Sequence, residues 1–217
     1  MSDRPTRVGE VRPSQVIHTF GIGALVDLPN FSALVMGTPY WERPSARNVI
    51  SEPRLLAVVR NHLGEQVSQL VTPPVPEEAD AGNPLNPDSL KGVPVTAFPH
   101  WVKCTACDLI ARLDQGVFAL KEDPWRADRT RFVHTNCNKV HGKPPSVIPV
   151  RFIRACSNGH LDDFPWRRFV CGPNSDCKSE LRLFEFGVSA QADDITVKCY
   201  VCDNRRLMSE AFGEKGK

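Results

Sequence analysis

Cys104-Thr105-Ala106-Cys107 and Cys199-Tyr200-Val201-Cys202 decide how this chain is read. The two Cys-x-x-Cys knuckles bracket the other four cysteines, Cys137, Cys156, Cys171 and Cys177, with His134, His141 and His160 among them. A two-residue gap lets both thiolates of a tight turn face one tetrahedral cation. The spacing predicts a C-terminal half built around two metal ions, with zinc the natural choice for sulfur-rich donors.

Working outward, the first site opens with Cys104 and Cys107 and takes Cys137 as its third ligand. His141, which forms a Cys-x3-His pair with Cys137, is the expected fourth, with His134 as the alternative. The second site takes Cys199, Cys202 and Cys177, with Cys156 expected fourth and His160 or Cys171 as substitutes. Closed four-ligand spheres hold structural zinc, whereas catalysis needs an open position. Their surroundings read as dissimilar, and no repeat of fixed period is evident.

The remaining sequence supplies a scaffold. The fold class expected is α+β: a small mixed N-terminal region, then a zinc-ribbon-like, β-rich module with two metal sites. Three segments follow: an α+β region at 1–72, a Pro-rich acidic linker or loop at 73–91, and the zinc-binding module at 92–217. Between Pro73 and Asp88 stand five prolines and four acids with no basic residue, a composition that resists packing. Gly21 and Gly23 suit a sharp turn before a strand, and Ser32–Met36 reads as a buried strand. Glu52–Leu63 is expected to be helical, capped by Ser51, with Leu55, Leu56, Val59 and Leu63 on one face. Val93–Val102, Val117–Leu120, Val147–Ile153, Leu181–Phe186 and Ile195–Tyr200 read as strands. The knuckles then lie at strand ends.

Bulk properties set limits. The chain has 217 residues and a net charge of +2, so total charge says nothing about partners. Locally, eight Lys or Arg face three acids between Lys121 and Arg154. That excess offers phosphate contacts from Arg129, Arg131, Lys139, Lys143, Arg151 and Arg154, with Arg167 and Arg168 nearby. Arg151 and Arg154, flanking Phe152, are expected on one face of a strand. Trp101, Phe132 and Trp166 are candidate stacking rings, though core packing is the simpler reading. No apolar run is long enough to span a bilayer, and the N-terminus lacks a secretory signal. A cytoplasmic location follows, where thiols stay reduced and eight cysteines read as metal ligands before disulfides.

The segment from Arg151 to Arg168 is the densest in unusual residues. His160 beside Asp162 and Asp163 suggests metal-assisted hydrolysis or nuclease chemistry. The simpler reading makes Asp162 or Asp163 the cap of a helix beginning at Phe164-Pro165-Trp166, with Trp166 and Phe169 packed inward and Arg167 and Arg168 solvated. No phosphate-cradling loop, nucleophile elbow or His-Glu-x2-His motif is present. No catalytic residue is therefore assigned.

These residues also resemble a known family. Arg12-Pro13-Ser14-Gln15, Phe20-Gly21-Ile22-Gly23-Ala24-Leu25-Val26-Asp27, and Cys156-x2-Gly159-His160-Leu161-Asp162-Asp163-Phe164-Pro165-Trp166 are similar to DrmB proteins. Leu181-x-Leu183 and Val197-x-Cys199-x2-Cys202 continue the likeness in order. DrmB is the helicase-associated protein of DISARM anti-phage defence. The resemblance implies a partner helicase of the DrmA type that carries the ATPase motifs, and binding of DNA with a single-stranded 5′ end. It also implies a much longer protein, and leads one to expect a second Cys-x-x-Cys at the first site, where this chain offers Cys137 and nearby histidines.

Overall fold

A computed structural model describes residues 6–42, 48–77, 83–173, 177, 180–187 and 191–212. The architecture is mixed, with few helices and many strands. Two compact units emerge: residues 1–29, 33–96 and 122–129 form one, and 30–32, 97–121 and 130–217 the other.

The first unit holds helices α1 (Pro13–His18) and α2 (Pro53–Leu63). Strands β1 (Leu25–Asp27), β2 (Ser32–Val35) and β5 (Val95–Ala97) make a three-stranded sheet falling mainly here, in the order β1-β2-β5. β3 (Val49–Ile50) and β4 (Leu70–Val71) pair antiparallel. Gly23, at φ +80°, supplies the expected turn before β1. Helix α2 is capped by Glu52 rather than Ser51: the Glu52 carboxylate accepts from the Arg54 N–H. Its predicted apolar face is half covered, with Leu56 and Val59 partly buried but Leu55 and Leu63 exposed. Part of the Pro-rich stretch, 78–82, lies outside the described residues. Its far end is ordered into a single 3-10 turn, Pro87–Leu90, where the Asn86 side chain accepts from the Asp88 N–H.

The second unit is organised by a six-stranded sheet in the order β10-β6-β7-β13-β14-β15. The strands are β6 (Trp101–Cys104), β7 (Leu109–Arg112), β10 (Val147–Pro149), β13 (Leu181–Glu185), β14 (Ile195–Cys199) and β15 (Arg205–Leu207). Two antiparallel pairs are inserted between its strands in sequence: β8 (Ala119–Lys121) with β9 (Arg131–Val133), and β11 (Ile153–Ala155) with β12 (Leu161–Asp163). Helix α3 (Trp166–Cys171) is the unit's single α-helix among the described residues.

Register assigns each side chain to a face, because strand residues alternate. Val102 pairs with Ala111 and Cys104 with Val147; these residues join Leu109, Phe118, Cys107 and Cys137 in one buried cluster. Leu181 pairs with both Ile110 and Cys199, and Leu183 with Val197. These residues join Trp101, Trp166, Val170, Ile195 and Met208 in a second cluster. The two cores therefore cover opposite faces of one sheet, each carrying one end of the cysteine constellation.

Trp101 and Trp166 are core residues, 6% and 1% exposed, and Phe132 is partly buried against the first cluster. Asp162 and Asp163 do not cap α3, which begins at Trp166 behind Pro165 without a side-chain cap. Asp163 is buried and reaches residues distant along the chain. It accepts from the backbone N–H of His100 (2.9 Å) and Trp101 (3.4 Å), contacts His100 Nδ1 at 2.9 Å and takes Arg112 Nη1 at 3.2 Å. It is a polar cross-link between β12 and the start of β6. Arg168 is exposed, while Arg167 donates to the Cys177 carbonyl and lies over the Trp101 ring.

Candidate metal centres

Two groups of four donors come together, each with its ligand atoms within 4.8 Å of one another. The first is Cys104, Cys107, His134 and Cys137; the second is Cys171, Cys177, Cys199 and Cys202. In the first, Cys104 Sγ lies 3.9 Å from Cys137 Sγ, and Cys107 Sγ 3.5 Å from His134 Nδ1. In the second, Cys177 Sγ lies 3.5 Å from Cys199 Sγ. Four ligands about 2.3 Å from a tetrahedral ion stand roughly 3.7 Å apart. The observed spacings fit that edge. They are far too long for disulfides, and all eight cysteines are free. The first quartet, three thiols and an imidazole, and the second, four thiols, can each hold a metal ion.

Six of the eight expected ligands fall in these groups; His141 and Cys156 do not, and His134 and Cys171 stand in their places. His141 is exposed in a turn beside Gly142. His134 is held by the sheet. β10 pairs with β6 through Val147 and Cys104, and Ser146 bridges Val133, so the end of β9 arrives beside the first knuckle. The His134 N–H donates to the Pro145 carbonyl, and its ring meets Phe118 edge-on. Cys171 is the last residue of α3, which packs through Trp166 and Val170 on the face that carries Cys199. Cys156 sits exposed at the β11–β12 turn, its Sγ 3.3 Å from His160 Nδ1.

Burial sets the chemistry of the donor groups. It pushes the Cys107 thiol up to about 12, helped by the neighbouring Cys104, and raises the Cys171 thiol as well. It holds His134 low, in the neutral form a metal ligand needs. Cys137 goes the other way: burial opposes its ionisation, but the Lys139 N–H and the neighbouring thiols outweigh it. Where burial raises a thiol, as at Cys107 and Cys171, it resists becoming an anion until a cation arrives to stabilise it, which couples metal binding to proton release.

The two knuckles share more than their cysteines. Val102-Lys103-Cys104-x2-Cys107-Asp108 and Val197-Lys198-Cys199-x2-Cys202-Asp203 are the same seven-residue pattern. Both aspartates adopt a left-handed backbone, φ +59° and +57°. Each is clasped by the lysine before the first cysteine, Lys103 to Asp108 at 3.1 Å and Lys198 to Asp203 at 2.7 Å. The expectation of dissimilar surroundings is therefore corrected: matching Val-Lys and Asp positions were visible in the sequence. The patterns differ only at the tip, Thr105-Ala106 against Tyr200-Val201.

The other expected constellations disperse. His160 pairs with Cys156, Asp162 with Arg154, and Asp163 with His100 and Arg112, so the hydrolytic trio does not converge. Several expected phosphate ligands are engaged within the fold. Arg151 pairs with Glu185, and Arg154 with Asp162 and the Asp163 carbonyl. Arg151 precedes β11 rather than sharing a strand face with Arg154; their odd spacing also opposes that arrangement. Lys139 and Lys143 are exposed near the first quartet in sequence, and Arg129 and Arg131 stand around the start of β9. No described helix is long and apolar enough to cross a membrane.

Over 127 residues the chain is 42% identical to "DISARM protein DrmB" of Bacillus paralicheniformis, a match covering 56% of this chain and 20% of that protein. The matched region thus spans about a fifth of the curated relative. Residues 12–217, including both quartets, match one family along nearly the whole chain. The chain belongs to the family described as Domain of unknown function (DUF8724).

Proposed function

We propose that the protein is a non-catalytic, zinc-stabilised component of a DISARM-type anti-phage defence complex. In this reading it works in the cytoplasm, docks a DrmA-like helicase or translocase, and helps that partner hold DNA bearing a single-stranded 5′ end. The observation that carries the reading is the 42% identity to a DISARM DrmB protein, in a chain whose metal-donor sets are both four-fold. A saturated sphere leaves no coordination position for water or substrate, so the ions it holds build structure rather than perform chemistry. Zinc is favoured over other divalent ions by sulfur-rich tetrahedral donor sets. Its contribution would be large: about 10 kcal/mol or more of apparent folding free energy per site. The exposed basic residues of 129–143 suit phosphate contact without sequence preference.

Two measurements test it together. Elemental analysis of purified protein is expected to return two zinc ions per chain, located by anomalous scattering at the two quartets. Fluorescence anisotropy with single-stranded and duplex oligonucleotides, at two salt concentrations and with the helicase present, is expected to show salt-dependent binding. Binding absent from the assembled complex, or insensitive to salt, defeats DNA contact and leaves a protein-only adaptor. Hydrolysis of an oligonucleotide by the metal-loaded protein would overturn the non-catalytic assignment.

A further inference from the structure

Because the two knuckles share one clasp, what differs between them is not needed to build it. Thr105 occupies in the first knuckle the place Tyr200 takes in the second. Yet Tyr200 is a large ring left 52% exposed, followed by Val201 at 76%. Two cations lie over that ring, the Arg182 guanidinium at 5.0 Å from its centroid and Lys198 Nζ at 5.2 Å.

Register extends the pattern. Arg182 stands directly opposite Lys198, and Lys198 directly opposite Arg205, so three adjacent strands carry one row of cations on one face. Like charges placed opposite one another destabilise a sheet. Glu180 at 3.9 Å from Arg182 and Asp203 beside Lys198 offset the row in part. Arg205 is exposed at its end. Beside the row, Phe186 is 55% exposed and stacked on Phe184. The Arg182 Nη1 also donates to the Cys107 carbonyl at 3.1 Å, tying this surface to the first knuckle.

Cations beside an exposed ring suit a flexible polyanion whose units carry flat faces: the phosphates meet the cations and the bases stack. A folded duplex keeps its bases covered and offers nothing to Tyr200. We propose that the tip of the second knuckle, Tyr200 with the exposed Arg205 and backed by Arg182 and Lys198, is a contact surface for single-stranded nucleic acid, with Tyr200 as its stacking platform. This rests on the nucleic-acid reading above and gives it a location outside the basic stretch at 121–154.

The test uses the metal-loaded protein assembled with the helicase, a fluorescent single strand of about 20 nucleotides and its duplex. Tyr200→Thr installs the first knuckle's own residue. It is expected to weaken single-strand binding about 5- to 150-fold while leaving the salt slope unchanged. Tyr200→Phe is expected to retain affinity. Arg205→Gln is expected to lower the salt slope by about 0.7, one phosphate's share on a single strand. Metal content is measured for every variant. Should Tyr200→Thr shed metal, Arg205→Gln decides the matter. If the wild type binds and Tyr200→Thr and Arg205→Gln match it in affinity and slope, the surface is wrong while nucleic-acid binding stands. Equal losses on single strand and duplex overturn the stacking role. If the wild type binds neither oligonucleotide, both readings fall.

Discussion

The first quartet is buried at all four positions; the second has Cys199 fully buried, Cys171 and Cys177 partly covered and Cys202 exposed. The clasp is the same, so the difference comes from what surrounds it. Cys104, Cys107 and Cys137 sit inside an apolar cluster with Leu109, Phe118 and Val147. The second knuckle projects past the end of β14, where only Cys199 reaches the core. The same short motif thus serves as a core element on one face of the sheet and as a surface element on the other. A buried ion must exchange through opening of the fold, whereas an exposed one can be approached by a competing ligand.

The largest effect expected from this contrast follows loss of a buried ligand. Cys104→Ser should release one ion and forfeit much of the ~10 kcal/mol that a structural zinc contributes, so that the second unit no longer melts cooperatively. Circular dichroism with elemental analysis measures both. Cys202→Ser should also release one ion but leave the first face folded and its metal bound. Equal destabilisation by the two variants would break the comparison. Chelator added to the wild type should draw out metal in two phases, the first carrying one ion and disappearing in Cys202→Ser.

A polar cross-link without metal gives the intermediate case. Asp163→Asn keeps its shape but withdraws the charge facing Arg112 and His100 in a buried site. A loss of about 3 kcal/mol is expected in denaturant unfolding, with two ions still bound. Glu185 gives a smaller effect. Burial opposes its ionisation, but the Lys103 and Arg151 contacts prevail and hold its carboxyl below the ordinary range. A lowered folded pKa means its contribution is complete above the ordinary carboxylate range and fades as pH falls through the folded value. Glu185→Gln should cost about 1 kcal/mol at neutral pH and flatten that acid limb. Smallest of all, His141→Ala and Cys156→Ser should leave two ions per chain, since both lie outside the quartets; loss of an ion from either would restore the ligand sets read from spacing.

Local rules carried far along this chain. Gly23 before β1, the strands at 181–185 and 195–199 and both knuckles were legible, because turn chemistry, alternation and two-residue ligand spacing act between near neighbours. The repeated Val-Lys and Asp around each knuckle were equally visible. Their meaning was not, since a lysine five residues before an aspartate becomes a clasp only when the turn brings them together.

By itself, then, the sequence determined that this chain is mixed and strand-rich, that its cysteines gather in its second half, and that two pairs of them lie in metal-ready turns. Tertiary structure decided which donors come together in each group. His134 and His141 are equally plausible along the chain, but only β9 is bridged to the strand beside Cys104. Cys156 and Cys171 are likewise both available, but only α3 packs its end against Cys199. A fourth ligand is chosen by distance in space, and distance in space depends on packing between elements far apart along the chain.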